Sequence, residues 1–403
     1  MNWTRILPLA LGTFAIGTDN FIIAGVLPLM ADDLRVSLAV AGVQATVFSL
    51  VYALGAPLLA SMMERIERKT VLLASMGLFA AANLGTALVS DFTTLLVMRV
   101  LAAATAAVFS PIAMAMAAEL SADAQRGQAI SIVTGGLTVS LVLGVPVGAF
   151  IGELSSWRAG FGFVAFLGMA CMVGSAIALP RHAGGGGPGF MERLRPAARP
   201  EVGLVLTQSL VIVGSTFIVF TYLAAMVSAL DGAGRHLAAA FLLVYGIAAV
   251  TGNLLGGRAA DRIGGLATTK RVTVVLAVSL AALSAAAWLP PGSAALAVGG
   301  IAVAVWGLSG WAFTPAQFSR LAELCPAEMP MAFALNTSAI YIGAALGAAA
   351  GGVVVAEFSV TALGWVAAAG VLSGVALLYL SKERPSRHLT DVRAEAVRVQ
   401  GEP

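Results

Sequence analysis

Hydrophobic residues occur along the chain in long runs that are separated by short polar segments. An apolar run of about 18 or more residues is a candidate for a membrane-spanning helix, because such a helix is long enough to cross the hydrocarbon core. Twelve such runs lie near residues 6–30, 39–62, 71–90, 94–118, 128–152, 159–180, 203–229, 236–257, 272–289, 294–318, 331–355 and 361–380. They lack the two-residue alternation of a membrane-spanning strand. The pattern predicts an all-α membrane protein with twelve spans, numbered here in chain order.

The composition excludes a soluble or a disordered protein. Of the 403 residues, 59% are hydrophobic and only 11% are charged, whereas soluble domains carry about 25% charged residues. Disordered chains have the opposite composition, with low hydrophobicity and high charge. The two cysteines, Cys171 and Cys325, have the spacing of neither a metal site nor a disulfide framework. No metal and no cofactor is predicted. The first run is too long for the core of a signal peptide and is expected to remain as span 1.

The distribution of Lys and Arg predicts the orientation of the spans, because cytoplasmic loops carry the excess of these residues. With a cytoplasmic N-terminus, 19 of the 23 lie in inner segments: Arg5, Arg65, Arg68, Lys69, Arg126, Arg181, Arg193, Arg195, Arg199, Arg258, Arg262, Lys270, Arg271, Arg320, Lys382, Arg384, Arg387, Arg393 and Arg398. The outer segments carry Arg35, Arg158 and Arg235, and Arg99 lies inside span 4. Both termini are therefore predicted to be cytoplasmic. The pI near 9.1 then reflects topology, and no nucleic-acid partner is expected.

A glycine tract near the middle divides the chain into two halves of six spans. It covers Gly184–Gly187 in the longest inner loop, and tracts of this kind act as flexible connectors. We therefore expect a six-helix bundle at 1–180, a cytoplasmic linker at 181–202, a second six-helix bundle at 203–380 and a cytoplasmic tail at 381–403. Two matched halves around a central binding site are a recurrent plan of transporters.

The two halves share a charged motif at the same place, between their second and third spans. Glu64 is followed by Arg65 in the first half, and Asp261 is followed by Arg262 in the second half, 197 residues later. The motif resembles the G-x-L-x-D-R-x-G-R-K signature of the major facilitator superfamily. The matching positions are Arg65, Arg68 and Lys69 in the first copy and Gly257, Asp261, Arg262 and Gly264 in the second. Two unrelated charged loops that only orient the spans are the alternative.

Two further elements resemble the same superfamily. Leu95 and Arg99 in span 4 fit an L-x-x-x-R element. Span 5 contains Gly144-Val145-Pro146-Val147-Gly148. This segment resembles the glycine–proline motif of antiporters, with a Val between the usual adjacent Gly and Pro. Together these motifs are similar to the twelve-span drug:proton antiporter subfamily, near bacterial amphenicol, sugar and nucleoside exporters. Members of this branch often carry Glu in span 1 where this chain has Asn20, and the acid here is the preceding Asp19.

The resemblance implies a major facilitator fold and proton-driven export of small organic molecules by alternating access. It implies conformational gating by Glu64, Arg65, Arg68, Lys69, Asp261, Arg262, Gly144, Pro146 and Gly148. A carboxylate such as Asp261 can stabilise the N-terminal end of a neighbouring helix and pair with inner-loop cations when the halves close on that side. We expect a multi-pass monomer in the inner membrane of a bacterium, whose partners are a small-molecule substrate, protons and the lipid bilayer.

Only one acid and one base are expected in the middle of the membrane, Asp19 in span 1 and Arg99 in span 4. A charge there costs at least about 2.5–3.5 kcal/mol and usually faces a partner or a cavity. We therefore hypothesise that the two residues form a pair that lines the pathway and couples transport to protons. A structural salt bridge that only holds two helices together is the alternative. Glu153 and Glu357, at the outer ends of spans 5 and 11, are second candidates for the proton carrier.

Polar and aromatic residues of the spans predict the lining of the pathway. The candidates for substrate contact are Asn20, Gln44, Tyr52, Gln208, Phe217, Tyr222, Trp306, Asn336 and Tyr341. They describe a mostly apolar pocket with few hydrogen-bonding groups, as is common for small organic ligands. No buried charge is expected in the second half, so a multiply charged substrate would lack partners. The expected substrates are neutral or weakly cationic.

An uptake symporter for sugars or metabolites is the nearer alternative to an exporter, and a non-transporting membrane sensor is an alternative of another class. The two matched halves and the single mid-span acid favour a transporter over a sensor. No catalytic residue is predicted, because the sequence has no G-x-S-x-G element, no buried His and no acid pair. An ATP-driven pump is not expected either, because no G-x-x-x-x-G-K-[ST] loop occurs.

Overall fold

The computed structural model describes residues 3–63, 66–122, 125–180, 195–231 and 237–379. Within these ranges the chain is helical apart from short connections, and no strand is present. Eleven helices are each long and apolar enough to cross a membrane, and a pair of helices bent by 50° makes a twelfth span. The prediction of an all-α protein with twelve spans is confirmed. The predicted tail at 381–403 and residues 181–194 of the predicted linker lie outside the described residues.

The spans have the following bounds in the structure. Span 1 is Trp3–Phe21 with Ile23–Asp33, span 2 is Leu38–Met63, span 3 is Arg68–Leu88, span 4 is Phe92–Glu119, span 5 is Arg126–Val139 with Ser140–Gly144 and Val145–Leu154, and span 6 is Trp157–Ala178. Span 7 is Pro200–Phe220 with Leu223–Asp231, span 8 is Ala238–Ile263, span 9 is Gly265–Ala286, span 10 is Ser293–Leu324, span 11 is Met329–Glu357 and span 12 is Leu363–Tyr379.

Short polar residues and glycine mark several helix ends. The Asp91 carboxylate accepts a hydrogen bond from the backbone N–H of Thr94 at 2.8 Å, which caps the start of span 4. This bond and a second one from the Thr94 hydroxyl hold the pKa of Asp91 below its usual value. The Ser156 hydroxyl caps span 6 by accepting from the backbone N–H of Arg158. Gly264 alone separates spans 8 and 9, and its φ of 86° is a conformation that glycine adopts without strain.

Three spans extend six or seven residues beyond one of their predicted ends. The second charged motif is not in a loop, because span 8 continues to Ile263 and span 9 begins at Gly265. The predicted start of span 9 at residue 272 was too late. Polar residues such as Thr269 and Thr273 belong to the helix, since their hydroxyls bond back to carbonyls four residues earlier. Span 10 continues to Leu324, beyond the end of its apolar run near residue 318.

The buried apolar residues of the two halves form one shared cluster on one side of the bundle and distinct clusters toward the other. We name the side at which span 1 begins, with Trp3, the near side, and the opposite side the far side. From the middle of the bundle to the far side, buried apolar residues of both halves form one cluster, which includes Leu27 and Leu223. On the near side they form two separate clusters, to the first of which the second half adds only Tyr341 among the described residues.

Two antiparallel pairs of spans join the halves. Spans 2 and 11 meet at the stacked rings of Tyr52 and Tyr341, whose centroids are 4.1 Å apart. Spans 5 and 8 meet where Gly246 lies against the backbone carbonyl of Leu141, so closely that a Cβ atom at Gly246 would overlap it. Glycine is required at this place because only a hydrogen atom fits between the two backbones.

Candidate functional site

Asp19 and Arg99 form an ion pair in the middle of the first half. Nη1 of Arg99 lies 2.6 Å from Oδ1 of Asp19, and the two side chains are 1% and 0% exposed, respectively. Within the described part of the chain, Oδ2 of Asp19 and Nε of Arg99 make no hydrogen bond. The two residues are therefore in contact through a single bond, while a role in proton coupling stays a prediction.

Two phenylalanine rings cover the guanidinium of Arg99. Its Cζ lies 4.5 Å from the ring centroid of Phe48 in span 2 and 5.3 Å from that of Phe161 in span 6. A desolvated cation–π contact contributes about 2 kcal/mol, so the rings replace part of the lost hydration. One hydrogen bond and two rings still leave both charges incompletely solvated. A change in the protonation of Asp19 would therefore alter what holds Arg99 in place.

The first helix of span 1 ends at Phe21, two residues after Asp19, and the second helix is bent by 50° relative to the first. Gly25 and Pro28 follow the break and weaken the helix there, because glycine is flexible and proline cannot donate to the backbone ladder. Span 7 is interrupted at the matching place. Phe220, the last residue before the break in span 7, lies 199 residues after Phe21, the last residue before the break in span 1. The two breaks thus occupy equivalent positions in the two halves.

The two breaks meet at a cluster of aromatic rings, which we name the aromatic cluster. Its members are Phe21, Phe217, Phe220, Tyr245, Trp306 and Trp311. The rings of Phe21 and Phe220 are edge to face with centroids 5.5 Å apart, which joins the halves. Nε1 of Trp311 donates to the hydroxyl of Tyr245 at 3.1 Å. Nε1 of Trp306 is buried and has no hydrogen-bond partner among the described residues.

Sequence reasoning identified two members of the aromatic cluster, Phe217 and Trp306, as substrate contacts and missed its centre. Phe21 and Phe220 were not predicted, because a phenylalanine in an apolar run carries no polar signal. Their equivalent positions in the two halves are the signal that could have identified them.

Gln44 lies on the same face of span 2 as Phe48 and Tyr52, since the three residues are spaced by four. Its side chain is fully buried, and neither Oε1 nor Nε2 has a hydrogen-bond partner within the described residues. A buried amide without a partner costs about 1–3 kcal/mol. The amide is therefore suited to meet a bound molecule or a water molecule. Tyr52 completes this face by stacking on Tyr341 of the second half.

Gln208 belongs to a different cluster, between spans 7 and 10 on the near side. Its Oε1 accepts a hydrogen bond from Nη1 of Arg320 at 2.6 Å, and Arg320 also donates to Gln317 at 2.5 Å. Arg320 is only 1% exposed, so the prediction that the second half holds no buried charge was wrong. The physical reason is that span 10 is longer than its apolar run and that two glutamine carbonyls solvate the guanidinium.

The remaining predicted contacts lie in three separate places. Asn20 is buried beside Asp19 in span 1. Tyr222 is on the far side, where its hydroxyl donates to the carbonyl of Ala348 at 3.2 Å. Asn336 is buried in the near half of span 11, and its amide has no hydrogen-bond partner in the described part of the chain. The nine predicted contacts therefore do not form one continuous surface.

The predicted gating element in span 5 begins with a π-helical turn, Ser140–Gly144. Such turns are frequent at functional sites. The element packs tightly on span 1. A Cβ atom at Gly144 would overlap the hydroxyl of Thr18, and one at Gly148 would overlap Ile22. The glycines therefore allow span 5 to approach the residues directly around Asp19.

The same turn also contacts the second half. Leu141, within the turn, supplies the carbonyl against which Gly246 of span 8 lies. Pro146 lies just after this turn and has no N–H to donate to a carbonyl of the preceding helical residues, so the regular hydrogen-bond ladder is interrupted here. The π-helical turn is thus in contact with span 1 on one side and with span 8 on the other.

The first charged motif makes its contacts inside the first half. Arg68 pairs with Glu119, the last residue of span 4, at 2.6 Å. Nζ of Lys69 donates to the carbonyls of Ala176 and Leu179 at 2.8 and 2.6 Å. These carbonyls end span 6, and a cation at a helix C-terminus is favourable. Both cations therefore tie spans of the first half to one another.

The structure describes the acid–arginine pair of the second charged motif but not that of the first. Glu64 and Arg65 lie outside the described residues. Asp261 and Arg262 are exposed in the last turn of span 8, and neither makes a hydrogen bond or an ion pair with a described residue. In the part of the chain that is described, no group of His, Cys, Asp and Glu residues has the arrangement of a metal site.

A family model of the Major Facilitator Superfamily matches residues 9–330. The chain belongs to the major facilitator superfamily. This confirms the family and fold that the charged motifs indicated. A member of this superfamily is a membrane transporter and not an enzyme.

Relatives of this major facilitator protein match almost end to end. The Inner membrane transport protein YdhP of Escherichia coli (strain K12) is 30% identical over 351 residues, which cover 87% of this chain and 88% of that protein. The Chloramphenicol resistance protein of Streptomyces lividans is 31% identical over 378 residues, which cover 92% and 93%. Among solved structures, the partially occluded inward open conformation of the xylose transporter XylE from E. coli matches with a TM-score of 0.73 at 14% identity, covering 94% of this chain and 98% of that one.

Proposed function

We propose that this major facilitator protein exports small, neutral or weakly cationic organic molecules and that protons entering through Asp19 drive the export. The observation that carries the proposal is the buried contact between Asp19 and Arg99 beside the break in span 1. The contact uses only one of the two carboxylate oxygens. Here Oδ2 has no partner among the described residues, which leaves a lone pair for a proton.

Protonation of Asp19 removes the negative charge that Arg99 contacts. A cation left alone in a low-dielectric interior is costly. Arg99 is then held mainly by the rings of Phe48 and Phe161, and spans 1 and 4 lose the bond between them. Loss of the proton restores the ion pair. The pair therefore provides two alternative arrangements of spans 1 and 4 that differ by one proton.

The π-helical turn of span 5 supports a link from this pair to the second half. Thr18, the residue before Asp19, lies against Gly144, and Leu141 of the same turn lies against Gly246 of span 8. A movement of span 1 at Asp19 therefore reaches the contact between the halves through two close packing contacts. We assign the gating role in span 5 to this turn and to the glycines and proline that follow it.

The site favours a neutral cargo with an aromatic or apolar body. The aromatic cluster offers ring faces, and Trp306 and Gln44 offer buried polar groups without partners among the described residues. We propose that substrate contacts are made by Asn20, Gln44, Tyr52, Phe217, Trp306 and Tyr341. Chloramphenicol, a neutral aromatic amide, fits this description, and one relative is named for resistance to it. Gln208 is assigned to the Arg320 cluster instead.

We assign the near side to the cytoplasm. Most of the described Lys and Arg residues lie on that side, and short cytoplasmic loops carry such an excess. With this orientation, the distinct apolar clusters of the two halves on the near side support a cytoplasm-open state. The exposed Asp261 and Arg262 then become partners for the first half when that side closes. We also propose that the protein lies in a bacterial inner membrane, which the name of YdhP supports, and that it is a monomer. The first bundle is proposed to end at residue 180 and the second to begin at residue 203.

The proposal is tested by transport in two steps. Cells that lack their own exporters are first screened for resistance to chloramphenicol and to neutral and weakly cationic aromatic compounds. The compound found is then measured in proteoliposomes with an imposed pH gradient, with the wild type, Asp19→Asn and Asp33→Asn. Asp33 is a partly exposed far-side acid and serves as the matched control. Only Asp19→Asn should lose transport against the concentration gradient. Uptake in the direction of the protons would instead establish a symporter.

A further inference from the structure

Spans 9 and 10 leave an apolar groove on the outer surface of the second half, with a volume of about 350 Å³. Its walls include Val274, Val275 and Val278 of span 9 and Ile301 and Val305 of span 10. All five side chains are exposed, and Val278 and Ile301 are 64% and 66% exposed. Exposed branched apolar side chains in the middle of a membrane-spanning helix face lipid chains, so the groove opens to the bilayer.

The cationic side chain of Arg271 lies just beyond the near-side end of the groove. Arg271 lies three residues before Val274 and four before Val275, so it is on the same face of span 9, one turn closer to the near side. Its side chain is exposed, and it makes no ion pair or hydrogen bond with any described residue. The adjacent Lys270 faces elsewhere, because its Nζ lies 5.1 Å from the ring centroid of Tyr379 in span 12.

Aromatic residues indicate the depth of Arg271 in the bilayer. Trp288 follows span 9 on the far side, is 75% exposed and contacts Trp365, as is typical of the membrane–water boundary. Arg271 lies 17 residues before Trp288, which is about 26 Å at 1.5 Å per residue. The hydrocarbon core is about 30 Å thick. Arg271 is therefore near the opposite boundary, at the level of lipid headgroups.

Arg271 and the groove together span about the depth of one leaflet. From Arg271 to Ala282, the far-side end of the groove on span 9, the helix rises about 16 Å. Half of the hydrocarbon core is about 15 Å. An acyl chain in the groove therefore brings the phosphate of its own lipid to Arg271, whose guanidinium can form two parallel bonds to phosphate oxygens.

We propose that this groove and Arg271 bind one anionic phospholipid of the near-side leaflet, with an acyl chain along spans 9 and 10 and the headgroup phosphate at Arg271. The charge of Arg271 favours an anionic lipid over a zwitterionic one. One basic residue near the surface of an anionic membrane strengthens the binding equilibrium about fivefold. The site is independent of the transported cargo.

The test uses the full-length protein in detergent and native mass spectrometry with phosphatidylglycerol or phosphatidylethanolamine. Arg271→Gln removes the charge, and Val278→Trp fills the groove. Arg258→Gln is the matched charge control, since Arg258 is exposed on the near side in span 8. Leu84→Trp is the matched bulk control, since Leu84 is 53% exposed in span 3. Each variant is first checked for an unchanged elution volume in gel filtration.

The wild type should retain phosphatidylglycerol about fivefold better than phosphatidylethanolamine. Arg271→Gln should abolish this preference, Val278→Trp should lower retention of both lipids, and the two controls should behave as the wild type. An equal loss of preference in Arg258→Gln would show a general surface-charge effect and overturn the site. Unchanged retention of both lipids in Val278→Trp would exclude the groove as the site of the acyl chain. If the wild type is a dimer and Val278→Trp is a monomer, a second copy of the chain occupies the groove, and the lipid proposal is overturned.

Discussion

Replacing Arg99 alone should destabilise the protein more than replacing Arg99 and Asp19 together. Methionine at position 99 keeps most of the side-chain length and packs against the rings of Phe48 and Phe161, so the change removes charge with little loss of volume. The Asp19 carboxylate, which is 0% exposed, is then buried without its cation. In the double variant Asp19→Asn/Arg99→Met neither charge remains.

The size of the effect follows from the burial of both groups. Removing one partner of a buried ion pair costs about 3–5 kcal/mol, whereas replacing both partners by groups of similar volume is about neutral. Loss of the two cation–π contacts costs about 0.5–2 kcal/mol each, and this loss is common to the single and the double variant. The single variant Arg99→Met should therefore be about 3 kcal/mol less stable than the double variant.

Reversible unfolding in mixed micelles, followed by near-ultraviolet circular dichroism, compares the wild type, both single variants and the double variant. Asp33 and Arg158 provide the control pair, since their side chains are 44% and 30% exposed. A cycle on this exposed pair should give a coupling of at most about 1 kcal/mol. If the effects of Asp19→Asn and Arg99→Met add within about 0.5 kcal/mol, the residues do not interact and the reasoning is refuted.

Three further comparisons of variants test the contacts between spans. Lys69→Met should lower the unfolding temperature more than Arg68→Gln, because Lys69 holds two carbonyls at a helix end, whereas Arg68 has a partly exposed partner; equal shifts would contradict this. Gly246→Ala should push the halves apart on the far side, measured by distances between spin labels, while Gly162→Ala, with open space at its Cβ, should not. Asp261→Asn should favour near-side opening about fivefold, because it removes the surface contact that Asp261 is proposed to make with the first half when that side closes; unchanged near-side distances would exclude this gating role.

The number of spans and the family could be predicted from the sequence because each rests on a strong local signal. A run of about 20 apolar residues has few alternatives to a membrane-spanning helix. The paired Glu64-Arg65 and Asp261-Arg262 motifs recur at matched positions in the two halves. The contact between Asp19 and Arg99 could be anticipated for a related reason, since a lone charge in the membrane needs a partner.

The breaks in spans 1 and 7 could not be predicted from hydropathy, because a bent span and a straight span have the same apolar length. The π-helical turn at Ser140–Gly144 is hidden for the same reason. Only the tertiary contacts of this turn, with Thr18 on one side and Gly246 on the other, explain its glycine-rich sequence.

The buried Arg320 was missed because hydropathy treats a cation as the end of a span. Two residues that accept hydrogen bonds from it, Gln208 and Gln317, are polar but uncharged, and one of them comes from a distant span. Sequence reasoning had therefore placed Gln208 in the substrate pocket. The contacts of a buried charge with side chains of another span are a tertiary property that no local pattern reports.

The central claim is that the protonation of Asp19 sets the conformation, and it can be tested without knowing the cargo. Spin labels at the exposed near-side positions Met62 of span 2 and Arg258 of span 8 report the separation of the halves. Their distance distribution in the wild type should shift between acidic and alkaline pH. In Asp19→Asn it should be the same at every pH, while Glu153→Gln should shift as the wild type does. A pH-dependent shift that persists unchanged in Asp19→Asn would contradict the account.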